Sequence, residues 1–332
     1  MANIGFIPVE KNMAGLSRIV YPNFALMRAA GYHRSIGDKI YTEEDILFDP
    51  FLELDRIYMS KIFTWTPDYE NMHLLPECDI IKGGTGYDVH SRLPEEIEAS
   101  TKMDYSLYPD FPASLQFFSR GCIRHCKFCL VHDKEGAIHP VEPVELNPNG
   151  TFIEVLDNNF FANPEWPKAI EYLKKLNQPV KFHGADLRIL EPAHMEAIKS
   201  VRLHGGVHFA WDYYNEKIPA TDLTDRIKLA LKYVHPSQLN IYVLIGFNTT
   251  MKQDLYRINT LRSLNIPCQA LVYRDYAKEY RKPSEYEFRL SQYTKLRQTY
   301  FKMPFEEYNP TKSIHCGDFI RLGRNLDGNT EI

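Results

Sequence analysis

The chain has no apolar run approaching the ~20 residues that a membrane-spanning helix needs, and no low-complexity tract. Charge of one sign is missing too, because 39 basic and 43 acidic side chains leave a formal net charge of −4. That balance gives no general attraction to nucleic acid. Cysteine is sparse: six in 332 residues, of which Cys78, Cys268 and Cys316 are scattered and form no disulfide framework. Residues Met1 to Ile7 read as the start of a strand and lack the basic n-region of a signal peptide. Together these absences predict a cytoplasmic protein in a reducing compartment, with no membrane partner. The length suggests about two domains.

Aromatic side chains are plentiful, at 13%, and tyrosines gather in the second half, from Tyr273 to Tyr308. Packing at half-buried positions explains them better than a base-stacking surface does.

The other three cysteines are the informative ones. Cys122, Cys126 and Cys129 are spaced C-x3-C-x2-C on what reads as a single loop. Iron–sulfur clusters are normally held by four thiolates, so three in a compact loop leave one corner of a cubane for another ligand. An open metal position marks a reactive site, as it does for zinc. Gly121 allows a tight turn before the first thiol, and Ser114 to Ser119 is an apolar run of strand type leading into the loop. Two other readings of the thiols stay open. One is a zinc site completed by His125 or His132, against which stands the lack of a second cysteine pair. The other is inert buried thiols, against which stands the presence of three within eight residues.

Before the loop, strands and helices alternate. Asn3 to Val9, Asp55 to Ser60 and Asp79 to Lys82 are strand candidates. Asn23 to Ser35 reads as a helix entered through Pro22, with Gly37 just beyond it. Pro94 to Ser100 reads as a short helix with an acidic first turn. Prolines 109 and 112 mark a linker near Tyr105 to Phe111. After the loop, strand candidates fall at 151–156, 180–183, 207–211, 239–245 and 268–273, with helices at 167–176, 192–200, 222–233 and 252–264. With the strand before the cysteines this makes six βα units, hence a parallel α/β fold.

The cysteine loop, with the aromatic Phe128 directly before its third thiol, resembles the signature loop of radical S-adenosylmethionine (SAM) enzymes. The resemblance covers about Ser114 to Phe301 and implies a six-stranded partial (β/α)6 TIM-type barrel over residues 105–301, followed by a tail at 302–332. It also implies a 4Fe-4S cluster on Cys122, Cys126 and Cys129 that binds SAM at its open iron. The segment 1–104, with its Asn23-to-Gly37 helix, Gly83-Gly84 turn and Leu93-to-Ile97 helix start, is similar to the flavodoxin-like (Rossmann-type) domain of cobalamin-binding radical SAM proteins. That family's Asp-x-His-x-x-Gly motif is degenerate here. Asp88 and His90 are followed by Leu93 where glycine is needed, and His33 lies inside a predicted helix. The expectation is a domain without cobalamin.

In parallel α/β folds, ligands gather at the carboxyl ends of strands. Against the resemblance, Asp157 and Asn158 would accept from the SAM ammonium, although an Asx-turn explains them equally. Arg188 would clamp the SAM carboxylate and Asp186 a ribose hydroxyl, or the two would simply pair. Gly246 would let adenine approach. Asp212, Tyr273 and Cys316 are the candidates for contact with substrate or for hydrogen-atom donation; packing, for Tyr273, and burial, for Cys316, are the alternatives.

The implied function is reductive cleavage of SAM to a 5′-deoxyadenosyl radical that abstracts a hydrogen atom from a small-molecule or macromolecular substrate. A flavodoxin or ferredoxin-type protein would supply the electron. A cobalamin-dependent radical SAM methyltransferase and a non-catalytic metal-binding scaffold or regulatory protein are the competing readings.

Overall fold

The structure, a computed structural model, describes residues 1–10, 21–214, 223–275 and 281–310. Their internal contacts group the chain into two units, Met1–Phe117 with Glu142–Thr151 and Phe118–Val141 with Phe152–Ile332.

The first unit is built on four strands: β1 (Asn3–Pro8), β2 (Lys39–Thr42), β3 (Arg56–Ser60) and β4 (Asp79–Gly83). They form a parallel sheet in the order β2-β1-β3-β4. Three helices accompany it, α1 (Phe24–Ser35), α2 (Glu43–Phe48) and α3 (Glu95–Glu98). The Asn23 side chain caps α1 by accepting from the Leu26 amide, and Thr42 with Asp45 forms a capping box on α2. The two faces of β1 feed separate cores: Ile4 and Phe6 join Leu26, Tyr58 and Ile97, while Ile7, with Val9 just past the strand, joins Ile46, Ile57 and Met59. A parallel strand buried on both faces needs this near-continuous apolar run.

The remaining strands are β5 (Ala113–Gln116), the short β6 (Ser119–Arg120) and β7 (His139–Pro140), then β8 (Phe152–Val155), β9 (Val180–Ala185), β10 (Leu203–Trp211), β11 (Leu239–Ile245) and β12 (Cys268–Val272). A six-stranded sheet runs in the order β12-β11-β10-β9-β8-β5, and its pairings from β8 to β12 are parallel. The α/β class and all six expected strands of this half are present. Among the helices, α4 (Val131–Glu135) sits in the cysteine loop region. The crossovers are α5 (Trp166–Leu176), α6 (Pro192–Lys199), α7 (Leu223–Leu231) and α8 (Met251–Ser263), followed by α9 (Glu285–Lys295) and α10 (Arg297–Lys302). Pro167 opens α5, and Asn177 in the left-handed conformation (φ 52°) closes it.

Strand order never reverses in this sheet. Right-handed crossovers between neighbours then carry every helix to the same face. On that face Ile153, Val155, Phe182, Val207, Phe209, Ile241 and Val243 pack with Leu173, Met195 and Ile258 of the helices in one core. Among the described residues, no helix is long and apolar enough to cross a membrane.

Candidate functional site

The cysteine loop is tied shut at its neck. β6 and β7 pair antiparallel, and Val141 donates its amide to the Phe118 carbonyl. Glu135 at the end of α4 draws three groups together: the Arg120 guanidinium at 2.6 Å, the Gly121 amide at 2.9 Å and the Asn158 side-chain amide at 3.0 Å. Gly121 has φ +78°, and a Cβ there would collide with the Ala137 carbonyl oxygen, so only glycine fits.

Asp157 is 1% exposed beneath this neck. Its carboxylate accepts from the Phe118 amide at 3.0 Å and the Ser119 hydroxyl at 2.5 Å. Burial pushes its pKa up to about 6 against those stabilising hydrogen bonds. The residue expected to receive a cofactor ammonium therefore stands under the loop and holds the strand that leads into it. Asn158 is likewise engaged by Glu135.

Each cysteine sulfur meets a hydrogen-bond donor. The Arg124 amide lies 3.4 Å from Cys122 Sγ and the Val131 amide 3.5 Å from Cys129 Sγ, while the Arg188 side chain hydrogen-bonds the Cys126 thiol. Desolvation raises the pKa of Cys126 and Cys129, and Arg188 opposes it at Cys126. Asn159, 2% exposed, points its amide nitrogen at Cys122 Sγ from 4.0 Å, and its buried Oδ1 has no hydrogen-bond partner.

The strand ends close around the loop. Asp186, just past β9, accepts from Arg124 Nε at 3.0 Å and Arg188 Nε at 2.6 Å, so one buried carboxylate fixes two arginines beside the thiols. The expected Asp186–Arg188 pair is present, and its second arginine was not foreseen. Asp212, just past β10, lies near enough to Cys126 and Cys129 to raise both their pKa values. The Phe128 ring meets Tyr213 and Phe247, each at 5.4 Å between centroids, and Phe247 meets Tyr273 at 4.7 Å. Phe128, Asp186, Arg188, Asp212 and Tyr273 thus come together with the cysteines. Gly246 (φ +75°) instead faces the Glu287 carboxylate, which Arg281 holds bidentately at 2.9 Å. Cys316 lies outside the described residues.

Arg257 is the group that sequence reasoning missed. Fully buried, it donates to the carbonyls of Trp211 (2.7 Å), Asp212 (3.0 Å) and Leu244 (2.7 Å) and to Asp254 (2.6 Å), pinning the carboxyl ends of β10 and β11. Its only sequence signal is an arginine on the apolar side of an amphipathic helix.

Sulfurs that meet N–H donors and a glycine-walled neck are compatible with a thiolate-held cluster. Among the described residues, no three His, Cys, Asp or Glu side chains are gathered as a metal-ligating group. His125 and His132 contact each other, with ring centroids 3.3 Å apart. On α1 of the first unit both ring nitrogens of His33 are engaged, by Asp38 at 2.9 Å and the Tyr58 hydroxyl at 3.1 Å. His90 is bonded through its amide to Asp88 in a turn. No protein-family model matches the chain, and no curated protein matches its sequence.

Proposed function

We propose that this chain is a radical SAM enzyme, with a partial (β/α)6 barrel preceded by a flavodoxin-like domain. One observation carries the reading. The C-x3-C-x2-C loop stands at the carboxyl ends of a sequentially wound parallel sheet, and charged and aromatic residues from successive strand ends surround its thiols.

Cys122, Cys126 and Cys129 would hold a 4Fe-4S cluster, with SAM on the open iron. When bound, the pair supplies a 5′-deoxyadenosyl radical that takes a hydrogen atom from substrate. The protein's own residues prepare for this in four ways. The Arg124 and Val131 amides and the Arg188 side chain donate to the sulfurs, outer contacts of the kind that orient sulfur ligands. Arg188, held by Asp186, carries the charge and the donor fork that a carboxylate needs. Asp212 brings a carboxylate to the same place for an ammonium or hydroxyl. Phe128, Tyr213, Phe247 and Tyr273 exclude water from the approach. A flavodoxin or ferredoxin-type donor would deliver the electron in the cytoplasm.

Anaerobic reconstitution with iron and sulfide, then dithionite and SAM, tests the reading. The expected products are methionine and 5′-deoxyadenosine. Iron-loaded protein that forms neither would sink the proposal, and zinc in freshly purified anaerobic protein would favour a structural site.

A further inference from the structure

The helix-free face of the six-stranded sheet is polar where parallel sheets are ordinarily apolar on both faces. Across four adjacent strands stand Glu154 on β8, Lys181 and His183 on β9, His208 on β10 and Tyr242 on β11. Glu154 is 4% exposed and accepts from Lys181 Nζ at 3.1 Å; its other oxygen meets His183 Nε2 at 2.8 Å. The His183 ring stacks on His208 at 5.3 Å and 11°, and His208 stacks on Tyr242 at 5.2 Å and 10°. Side chains stand roughly perpendicular to a sheet, so such a pile presents ring edges, not ring faces, to whatever lies above it.

The hydrogen-bond chemistry of those edges is defined. His208 Nδ1 lies 2.9 Å from the Phe182 carbonyl, which can only accept, so Nδ1 carries the proton and Nε2 is left as an acceptor. Burial keeps the ring neutral by pushing its pKa down to about 4. With His183 Nε2 engaged by Glu154, its Nδ1 is a further hydrogen-bonding position. The Tyr242 hydroxyl adds a group of either sense. Lys181 already pairs with Glu154, so the lysine of the row is not free to neutralise an anion. Burying this many polar groups costs stability, and sequences break their own pattern in this way chiefly at functional sites.

We propose that this row is a binding face for a neutral, hydroxyl-bearing molecule of polyol or sugar type. His208 accepts from one of its hydroxyls, and His183 and Tyr242 bond to further oxygens. Only its identification as the substrate rests on the radical SAM reading. Glu154, His183, His208 and Tyr242 precede the strand-end residues Asp157, Asp186, Asp212 and Phe247 by three to five positions on their strands. At about 3.3 Å per residue the row is roughly 10–16 Å along the strands from the groups beside the thiols, within reach of a molecule standing on it.

The test is equilibrium binding to the full-length, iron-free chain, by saturation-transfer NMR and calorimetry. The probes are myo-inositol and its monophosphate, and glucose and its 6-phosphate. The expected result is binding of at least one neutral probe, with its phosphate about tenfold weaker or worse. His208→Phe keeps a ring in the stack and removes the acceptor; it should weaken binding about tenfold, or 1.4 kcal/mol. Should that variant not fold, as read by its thermal melt, His183→Gln carries the same expectation. No binding of either neutral probe, equal or tighter binding of the phosphates, or wild-type affinity in the folded variants overturns the proposal. Because no iron is present, these outcomes are independent of whether 5′-deoxyadenosine forms in the reconstituted enzyme.

Discussion

In the four-stranded sheet both faces of the central strands are apolar, and two hydrophobic clusters flank it. In the six-stranded sheet one face carries the large core and the other carries Glu154, Lys181, His183, His208 and Tyr242. The winding accounts for this. From β1 the first sheet steps outward to β2 and then back across to β3, so constant-handed crossovers fall on both faces and both must be greasy. The second sheet steps one way only, which frees a whole face from packing duty. A face freed in this way, and polar, is where a parallel sheet can meet a ligand.

Experiments can break or sharpen that comparison, and the largest expected effect is chemical. Cys126→Ala should abolish iron loading and 5′-deoxyadenosine formation while hydrogen exchange in both sheets stays as in wild type. Retained activity would remove Cys126 from the ligand set, and a collapse of either sheet would make the thiol structural. Next comes Arg257→Met, which strands buried carbonyls and the Asp254 carboxylate. Breaking a buried pair on one side costs about 3–5 kcal/mol. Urea unfolding should register that loss, and exchange should quicken in β10 and β11 but not in β1 or β3.

The third test uses pH. Burial raises the Asp157 carboxyl from the usual 3.8 to about 6, so the folded state prefers the protonated form. Its contribution to stability is complete below the unfolded value and is lost as pH rises through about 6, by about 3 kcal/mol in all. Denaturant melts from pH 4 to pH 7 should therefore show a fall that Asp157→Asn flattens; an unchanged slope in that variant would show that another group titrates. The smallest effect belongs to the other sheet. Thr42→Ala removes the α2 cap and should cost about 1 kcal/mol, read as faster exchange confined to α2 and β2.

Much of the fold was legible because period-2 strands and capped amphipathic helices repeat regularly. The strand β11 has the same bounds, Leu239–Ile245, in sequence and structure. The strand β2 was not foreseen: at the sheet edge its four residues show no buried position, so no alternation marks it. Of the site, the cysteine spacing was visible because its three residues are local. The polar row was not, because its members lie 25 to 34 residues apart along the chain, at Glu154, His183, His208 and Tyr242, and each sits inside a different strand. Register alone brings them side by side, and register is a tertiary property. Asp157 illustrates the reverse difficulty. A carboxylate at a strand end is a ligand candidate from sequence, whereas burial and two donors give it to the loop above it.

The Glu135 clamp has a consequence for assembly. It joins Arg120 and Gly121 to a point fifteen and fourteen residues further along the chain, and all three cysteines lie within the ring so closed. Closing a loop of this size is an entropic debt that grows only slowly with length but must be met before distant ligands can meet. Here backbone pairing and a carboxylate meet it without any contribution from the thiols. The loop is thus a pre-tied purse whose mouth is independent of its contents. Whatever the three thiols hold can leave and return without the chain having to find the fold of that segment again.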